Sequence, residues 1–302
     1  MATTVLVTGG TGSIGGLLCD YLSKQGLDVT ILSRRKRENA KYKTFLWNQH
    51  ENFIEATAFD KCDYIIHLAG AGIADAAWTA KRKKEILDSR VKTTNLLYDS
   101  LASHNHQVKG IISASAVGYY GQVTSEKTFK EDDAPGTDFV ASVCKQWEEG
   151  VNRFSDLNIR TVNLRIGIVL MRKGGALEKM VQPFQYNVGS ALGSGKQFIP
   201  WIHITDLQRI ILHSINSADM KGPYNCCAPD SADNLKFSKT IAQVLNKKIW
   251  LPNVPKFILR MILGERSILV TEGSKVSPEK IIQSGFDFKF TKLKSALHDL
   301  LG

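Results

Sequence analysis

Residues 5–16 read Val-Leu-Val-Thr-Gly-Gly-Thr-Gly-Ser-Ile-Gly-Gly. An apolar run typical of a buried strand leads into glycines at positions 9, 10, 12 and 15, and apolar residues with helical spacing follow over residues 17–22. Glycine permits a positive φ and a close approach of the backbone, and the N-terminus of the helix offers free N–H groups and a partial positive charge. The stretch predicts a strand–turn–helix unit that binds a pyrophosphate. The alternative is a tight turn with no ligand.

Short apolar runs alternate with longer helical patterns over the first two-thirds of the chain. This order is typical of a parallel sheet with crossover helices. The predicted strands are Val5–Thr8, Val29–Ser33, Tyr64–Leu68, Gly110–Ser115 and Arg160–Arg165. The predicted helices are Gly12–Gln25, Lys81–Ser103 and Phe139–Phe154. We therefore predict an α/β fold with a Rossmann-type, doubly wound parallel sheet.

The pattern changes beyond Arg165, where a glycine-rich stretch ends in the apolar run Phe198–Ile204. A helix over Thr205–Ser217 and a strand over Pro223–Cys226 are then predicted to return to the sheet. The remaining residues predict short helices separated by prolines. We expect residues 1–170 plus about 199–228 to form a nucleotide-binding domain. Residues from about 171 to 198 plus 229–302 are expected to form a smaller, mainly helical C-terminal lobe that takes the substrate.

The composition of the 302 residues, 43% hydrophobic and 23% charged, is ordinary for a soluble globular protein. The net charge of +10 favours anionic partners such as phosphates or nucleotides, although a solvated basic surface explains it equally well. No apolar run approaches the roughly 18 residues of a membrane span, and the first basic residue is Lys24. The five cysteines form no CxxC pair. We expect a cytoplasmic, reduced and metal-free protein with no membrane partner.

The second predicted strand ends at Ser33, and the basic run Arg34-Arg35-Lys36-Arg37 follows it. A site that prefers NAD usually places Asp or Glu here to accept from the ribose 2′-hydroxyl. A carboxylate would repel a 2′-phosphate, whereas a guanidinium pairs with it. Ser33 and Arg34 therefore predict a preference for NADP(H). The alternative, a solvated basic loop, is our interpretation of Lys36 and Arg37.

The predicted strand Tyr64–Leu68 leads into Leu68-Ala69-Gly70, where small residues leave room for the adenosine half of a dinucleotide across the sheet edge. His67 precedes them. It is either a catalytic base or a core residue, and a histidine inside an apolar strand favours the core role.

Together these segments resemble the extended and atypical short-chain dehydrogenase/reductases. More narrowly, they resemble the epimerase family proteins, a group also labelled cell-division-inhibitor-like. The segments that carry the resemblance are Thr8–Gly16, Leu68–Gly70, Ser89–Leu97, Ser113–Gly121, Phe139–Glu148, Gly193–Leu207, Gly222–Asn225, Gly264–Glu265 and Gly285–Phe288. The resemblance covers nearly the whole chain, and it implies a Rossmann-type fold, a bound nicotinamide dinucleotide and a C-terminal substrate lobe.

The resemblance also implies which residues hold the cofactor. The pyrophosphate would lie on Gly9, Gly10, Thr11, Gly12, Ser13, Ile14 and Gly15, and the adenosine half on Leu68, Ala69 and Gly70. Ser33 and Arg34 would hold the 2′-phosphate. Arg90 stands where extended members commonly carry an asparagine, so it can reach the cofactor phosphates or ribose, and Glu85 is a further contact candidate. For Arg90 and Glu85 the alternative is an exposed helix charge.

The chain departs from this family at the reaction centre. Active members generally use a Tyr-x-x-x-Lys pair, in which the lysine lowers the pKa of the tyrosine that acts as acid and base. No tyrosine here has a lysine four residues later, and the matching helix carries Phe139 and Val143 at the two positions. The usual proton-transfer pair is therefore absent.

Three candidate catalytic residues remain. Ser115 matches the superfamily's catalytic serine, and Tyr119 and Tyr120 follow it in the loop. In one interpretation Ser115 hydrogen-bonds a substrate carbonyl and one of the tyrosines donates the proton. In the other, Ser115 holds the nicotinamide carboxamide while the tyrosines pack. His203 and Asp206 are interpreted as residues that fix the chain on its return to the sheet.

The leading hypothesis is an NADP(H)-dependent oxidoreductase or epimerase-like enzyme that acts on an unidentified small molecule. The second is a non-catalytic NADPH-binding regulatory protein, with a role in cell division as the group's label implies. A nucleic-acid binder rests on the charge alone, because no recognised module is present, so no nucleic-acid partner is expected. We expect a monomer, or a homodimer formed through the helices Lys81–Ser103 and Phe139–Phe154.

Overall fold

The computed structural model describes residues 2–36 and 40–302, so Arg37 lies outside the described residues. The strands are β1 (Thr4–Thr8), β2 (Asp28–Ser33), β3 (Lys43–Asn48), β4 (Phe53–Ile54), β5 (Tyr64–His67), β6 (Gly110–Ala116), β7 (Thr128–Phe129), β8 (Arg160–Ile166), β9 (Ile168–Leu170), β10 (Trp201–His203), β11 (Gly222–Cys226) and β12 (Lys275–Val276). The α-helices are α1 (Ser13–Lys24), α2 (Ala80–Ala102), α3 (Phe139–Asn152), α4 (Gly175–Gln185), α5 (Ile204–Asn216), α6 (Asn234–Val244), α7 (Lys256–Leu263), α8 (Ile268–Thr271), α9 (Glu279–Gln283) and α10 (Leu293–Leu301).

The main sheet has eight strands in the order β11-β8-β6-β5-β1-β2-β3-β4, and every pair is parallel except β3 with β4. This topology confirms the predicted Rossmann-type fold. The predicted strands agree with the observed ones to within one residue at each end, including β11, which returns the chain to the sheet. The predicted helices agree with α1, α2, α3 and α5 to within two residues.

Helices cover both faces of the sheet because successive strand residues point to opposite sides. Val5 and Val7 of β1 join the core formed with α1 and α5. Leu6, between them, joins the core formed with α2 and α3. The strand is apolar throughout because parallel strands of this kind are buried on both faces.

Several short strands were not predicted from the sequence. β3 and β4 extend the main sheet, and β7 pairs with β12. The predicted apolar run Phe198–Ile204 contains β10, which pairs with β9 in a separate two-stranded sheet instead of joining the main one.

A third core lies in the C-terminal part of the chain. It packs α4, α6 and α10 against the β9–β10 sheet through residues such as Leu177, Phe237 and Leu297. This region is smaller than the sheet domain and mainly helical, as predicted. The β7–β12 pair also ties it to the loop that follows β6.

Candidate cofactor and active site

The turn between β1 and α1 has no room for a side chain at Gly9 or Gly15. Gly9 adopts a φ of +70°, and a Cβ on Gly9 would lie 2.9 Å from the carbonyl carbon of Leu68. A Cβ on Gly15 would lie 2.8 Å from Gly10 Cα and would overlap the carbonyl oxygen of Gly9. The Gly12 N–H donates to that same oxygen at 2.9 Å. These contacts bring the backbone of the turn close to the adjoining strand end, as a dinucleotide-binding turn requires.

The N-terminus of α1 faces this turn. Its N-cap residue is Gly12, so no side chain among the described residues caps the helix. The first N–H groups of a helix have no intrahelical partner, and they carry the positive end of the helix dipole. The predicted residues Gly9–Gly15 are thus brought together in a geometry that fits a pyrophosphate.

Thr8 joins the turn to the end of β5. Its Oγ1 accepts hydrogen bonds from the N–H groups of Leu68 and Ala69, both at 3.1 Å, and lies 2.8 Å from His67 Nδ1. The Nε2 atom of His67 lies 3.1 Å from Thr94 Oγ1 on α2. Burial lowers the pKa of His67 to about 3, so the ring is neutral at physiological pH. The structure therefore gives His67 a core role, which is the interpretation that the sequence favoured.

Residues 34–36, which directly follow β2, are exposed to solvent. Ser33 Oγ accepts from the N–H of Arg35 at 3.3 Å, and Arg34 is exposed. β2 is the neighbour of β1 in the sheet, so this strand end lies beside the glycine turn. From Ser33 to Lys36 the chain carries no carboxylate.

Arg90 lies beneath the loop that follows β5. Its Nη1 donates to the carbonyl oxygens of Ala71 at 3.1 Å and Ile86 at 2.9 Å. A Cβ on Gly70 would lie 3.0 Å from its guanidinium carbon. Burial lowers the pKa of Arg90. Arg90 thus sits at the predicted cofactor edge with its contacts made to the protein backbone.

Glu85 lies further from that edge. It is exposed and accepts from Arg82 Nη1 at 2.8 Å.

The loop that follows β5 is held by hydrogen bonds from side chains to its backbone carbonyl groups. Gly72 accepts from Arg82 at 2.6 Å, Ile73 from Trp78 Nε1 at 2.8 Å, and Ala74 from Arg266 at 2.9 Å. Together with Ala71, four consecutive carbonyl oxygens accept from side chains. We call residues 71–74 the clamped loop. It joins the cofactor edge to the C-terminal region through Arg266.

The carboxyl ends of β6, β8 and β11 form the half of the sheet edge that lies away from the glycine turn. Ser115 on β6 is the register partner of Arg165 on β8, which is the partner of Asn225 on β11. Ser115 Oγ donates to Glu148 Oε1 on α3 at 2.6 Å. Arg165 binds both oxygens of Glu148, each at 2.9 Å. All four side chains are buried.

Tyr120 completes this network. It accepts from Arg165 Nη1 at 3.0 Å and donates to Asn225 Oδ1 at 2.7 Å. Arg165 Nη1 also donates to the carbonyl oxygen of Glu131 at 3.0 Å. Burial raises the pKa of Tyr120 well above its ordinary value. Its hydroxyl group is fully engaged inside the protein.

Tyr119 is half-buried, which sets it apart from Ser115 and Tyr120. The guanidinium carbon of Arg165 lies 3.5 Å from the centre of its ring. Burial raises the pKa of Tyr119, and the charge of Arg165 opposes that rise. Of the three candidate catalytic residues, Tyr119 is the one whose side chain is partly exposed.

Sequence reasoning missed Glu148, Arg165 and Asn225. One signal was present, because Val140, Cys144 and Glu148 share a face of α3 at spacings of four. A carboxylate on a face that is otherwise buried and apolar needs a buried partner. The sequence alone did not show that Arg165 is this partner, because that depends on the position of β8 in the sheet.

The start of α3 carries no replacement for the missing pair. Phe139 packs edge-on against Trp78 at 5.2 Å between ring centres, and Val143 is buried. Lys145 points to the surface, where it lies 3.8 Å from Glu149.

His203 and Asp206 fix the C-terminal segment. Asp206 accepts from the N–H groups of Lys289 and Phe290, both at 2.9 Å. His203 stacks on the ring of Phe290 and accepts from the N–H of Thr205 through Nδ1. These contacts agree with the structural role predicted for both residues.

Three further findings concern the part of the chain that the structure describes. It contains no cluster of three or more His, Cys, Asp or Glu side chains arranged to hold a metal ion. None of its helices combines the length and apolar character that crossing a membrane requires. The five cysteines are free and buried.

Comparison with known proteins extends over the whole chain. The family model described as "NAD dependent epimerase/dehydratase family" matches residues 5–227, and one described as "Domain of unknown function (DUF1731)" matches residues 254–300. The chain is similar to the epimerase family protein YfhF of Bacillus subtilis (strain 168). The two are 38% identical over 299 residues, which cover 98% of this chain and 97% of YfhF.

Solved structures show the same relationship. The chain is similar to the crystal structure of human epimerase family protein SDR39U1 (isoform 2) with NADPH, with a TM-score of 0.89 and 32% identity over 99% of both chains. UDP-glucuronic acid 4-epimerase from Bacillus cereus, in complex with UDP-glucuronic acid and NAD, gives a TM-score of 0.79 at 15% identity and covers 99% of this chain and 98% of its own. At that identity it shares the fold alone.

Proposed function

Because this chain belongs to the NAD-dependent epimerase/dehydratase family, we propose that it binds NADP(H) and reduces a carbonyl group on a small molecule. The observation that carries the proposal is the glycine turn at Gly9–Gly15, which lies beside a strand end bearing Ser33 and Arg34 and no carboxylate. The similar human protein was crystallised with NADPH, which supports the same cofactor here.

The residues present fit a dinucleotide phosphate. The turn excludes every Cβ at Gly9 and Gly15, so its backbone and the N–H groups at the start of α1 would hold the pyrophosphate. Arg34 is exposed at the end of β2, where its guanidinium would pair with the 2′-phosphate. The bound nicotinamide would supply a hydride at its C4 atom.

Tyr119 is the proposed proton donor. Its phenol keeps its proton at pH 7, because burial raises its pKa and no lysine lies four residues away. Tyr119 Oη would donate to the substrate's carbonyl oxygen as negative charge develops there. Arg165, stacked on the ring at 3.5 Å, would stabilise the phenolate that remains. This arrangement favours an acid, and hence reduction, over a base.

Ser115 has a narrower role in this proposal. Its hydroxyl hydrogen is donated to Glu148, so its oxygen is free only to accept. It can accept from the carboxamide of the cofactor or from a hydroxyl group of the substrate. Donation to a substrate carbonyl would first require Ser115 to leave Glu148.

Two measurements test the proposal. Fluorescence titration compares NADPH with NADH, and NADPH oxidation is then followed over a panel of carbonyl compounds. Tyr119→Phe should lower turnover by about a hundredfold or more, since proton transfer contributes about 10²–10⁴-fold, while NADPH affinity stays within a few-fold. Tyr186→Phe is the matched control, because Tyr186 is the exposed C-cap residue of α4 and its loss should leave turnover unchanged. Unchanged turnover in Tyr119→Phe would refute the assignment of the donor.

One observation favours a second candidate, a non-catalytic NADPH-binding regulatory protein. The serine that matches the catalytic one is bound to Glu148, and α3 carries Phe139 and Val143 where the tyrosine and lysine of active relatives would stand. This candidate predicts tight NADPH binding with no oxidation of NADPH by any compound in the panel.

A further inference from the structure

Helix α7 lies on the surface with little of its apolar content buried. Leu259 is its one buried residue among the eight. Phe257, Met261 and Ile262 are 66%, 81% and 71% exposed. Each would gain about 1.5–3 kcal/mol if fully covered, so the helix leaves a large hydrophobic contribution unused.

These side chains form one face. At 3.6 residues per turn, Phe257, Ile258, Met261 and Ile262 fall within less than half of the helix circumference. Ile258, between Met261 and Ile262 on this arc, is half-buried. Arg260 is exposed and borders the arc on the side of Phe257. We call these four apolar residues the α7 face. Trp250, 68% exposed, precedes the helix.

The segment of the chain that contains α7 is positively charged. Residues 234–264 contain no Asp or Glu and six basic residues, which are Lys236, Lys239, Lys247, Lys248, Lys256 and Arg260. Lys236 pairs with Asp230 and Lys256 with Glu272. Within residues 2–36 and 40–302, the other four form no ion pair. The segment therefore combines exposed apolar side chains with uncompensated positive charge.

We propose that the α7 face docks on the surface of a membrane that contains anionic lipid. Apolar side chains bordered by Lys and Arg are the composition of helices that lie in the membrane interface. The acyl boundary covers Met261 and Ile262, and the lipid head groups neutralise Arg260 at the border of the face. The contact is shallow and adds no membrane span.

Two other occupants fit less well. A stable dimer buries about 800 Å² on each partner over about 20–30 residues, whereas the α7 face offers four apolar side chains and would bring like charges together. Nucleic acid would match the charge and could stack on Phe257 or Trp250. It would leave the aliphatic groups of Met261 and Ile262 in water.

Vesicle co-sedimentation tests the docking surface. The full chain is mixed with vesicles of phosphatidylcholine alone or of phosphatidylcholine with phosphatidylserine, at low and high salt. We expect binding to the phosphatidylserine vesicles that weakens with salt. Met261→Ser with Ile262→Ser should lower the partition coefficient by about tenfold or more. Arg260→Gln should lower it by about fivefold.

Matched controls separate the surface from general effects. Phe53→Ser removes a 46% exposed aromatic side chain at β4, and Lys24→Gln removes an exposed cation at the end of α1. Neither should change vesicle binding. NADPH affinity and the melting temperature should be the same in all variants, because the altered residues lie outside the cofactor turn and the cores.

Four results would overturn the proposal. They are no binding to phosphatidylserine vesicles, equal binding to phosphatidylcholine alone, binding that the double serine variant leaves unchanged, and a dimer in light scattering that the same variant dissociates. Binding to a single-stranded oligonucleotide that Arg260→Gln weakens, with vesicle binding absent, would identify nucleic acid as the occupant instead.

Discussion

The two halves of the sheet edge are built in different ways. The cofactor half is a turn of consecutive residues, Gly9–Gly15, whose glycines contact each other and the adjoining strand end. The other half, which we call the reaction half after its proposed role, gathers Ser115, Glu148, Arg165 and Asn225 from three strands and a helix. The first half keeps the family's glycine pattern, whereas the second carries Phe139 and Val143 in place of the tyrosine–lysine pair and holds a separate buried ion pair between Glu148 and Arg165. The difference teaches that a sheet edge of this family can keep its glycine turn while it lacks the usual proton-transfer pair.

The largest expected effect lies in the reaction half. Glu148→Ala leaves the Arg165 guanidinium buried without its carboxylate, and breaking a buried pair in this way costs about 3–5 kcal/mol. Denaturant unfolding should show this loss in the free energy of unfolding. Glu149→Ala, the exposed neighbour, should change stability by less than about 0.5 kcal/mol. Equal losses in the two variants would mean that the network does not stabilise the fold.

Arg34→Ala tests the cofactor half. Loss of one charge-assisted contact is worth about 1.5–3 kcal/mol, so NADPH affinity should fall by about ten- to a hundredfold and NADH affinity should change little. Fluorescence titration at constant ionic strength measures both, with Lys36→Ala as the control. If both cofactors lose affinity equally, Arg34 does not read the 2′-phosphate.

Gly15→Ala tests the turn itself. The added methyl group overlaps the carbonyl oxygen of Gly9, so the backbone must move at a cost of about 1–3 kcal/mol in stability. NADPH affinity should fall by about tenfold or more. Gly16→Ala is a close control, because its Cβ would meet its nearest neighbour, the Gly10 carbonyl oxygen, at an ordinary 3.8 Å. If Gly15→Ala binds NADPH as well as Gly16→Ala does, cofactor binding does not depend on the close packing of the turn.

At pH 7 His67 gives the smallest effect of the four residues, and it links the turn to α2. Its pKa is about 3 when folded and 6.5 in the unfolded chain, so only the unfolded chain takes up a proton as the pH falls below 6.5. Stability is therefore unaffected above pH 6.5. It declines below that pH by up to about 1.4 kcal/mol per pH unit until about pH 3.

A matched pair isolates this histidine. Unfolding free energies of the native chain and of His67→Asn are compared between pH 7 and pH 5. The variant should lack this part of the acid dependence, whatever its stability at pH 7. Parallel curves would mean that His67 titrates in the folded protein.

The sequence predicted the fold because strand and helix patterns are local. β1, β5 and β8 were found to within one residue, each as a run of β-branched or apolar residues. β3 and β4 were missed, since β3, next to the edge strand, has no continuous apolar run and β4 has only two residues. The cofactor turn was equally local. The network around Ser115 could not be predicted from local patterns, because Glu148 and Arg165 come together only once β6, α3 and β8 are packed.

The clamped loop has a consequence for how the protein opens. Its carbonyl groups accept from α2, from Trp78 and from Arg266 beyond α7, so the loop cannot move without breaking contacts in each of these places. Segments tied in this manner exchange their amide hydrogens as one cooperative unit. The edge that would receive the cofactor and residues 264–267 should therefore share one opening free energy, and a ligand that slows exchange at the first should slow it at the second.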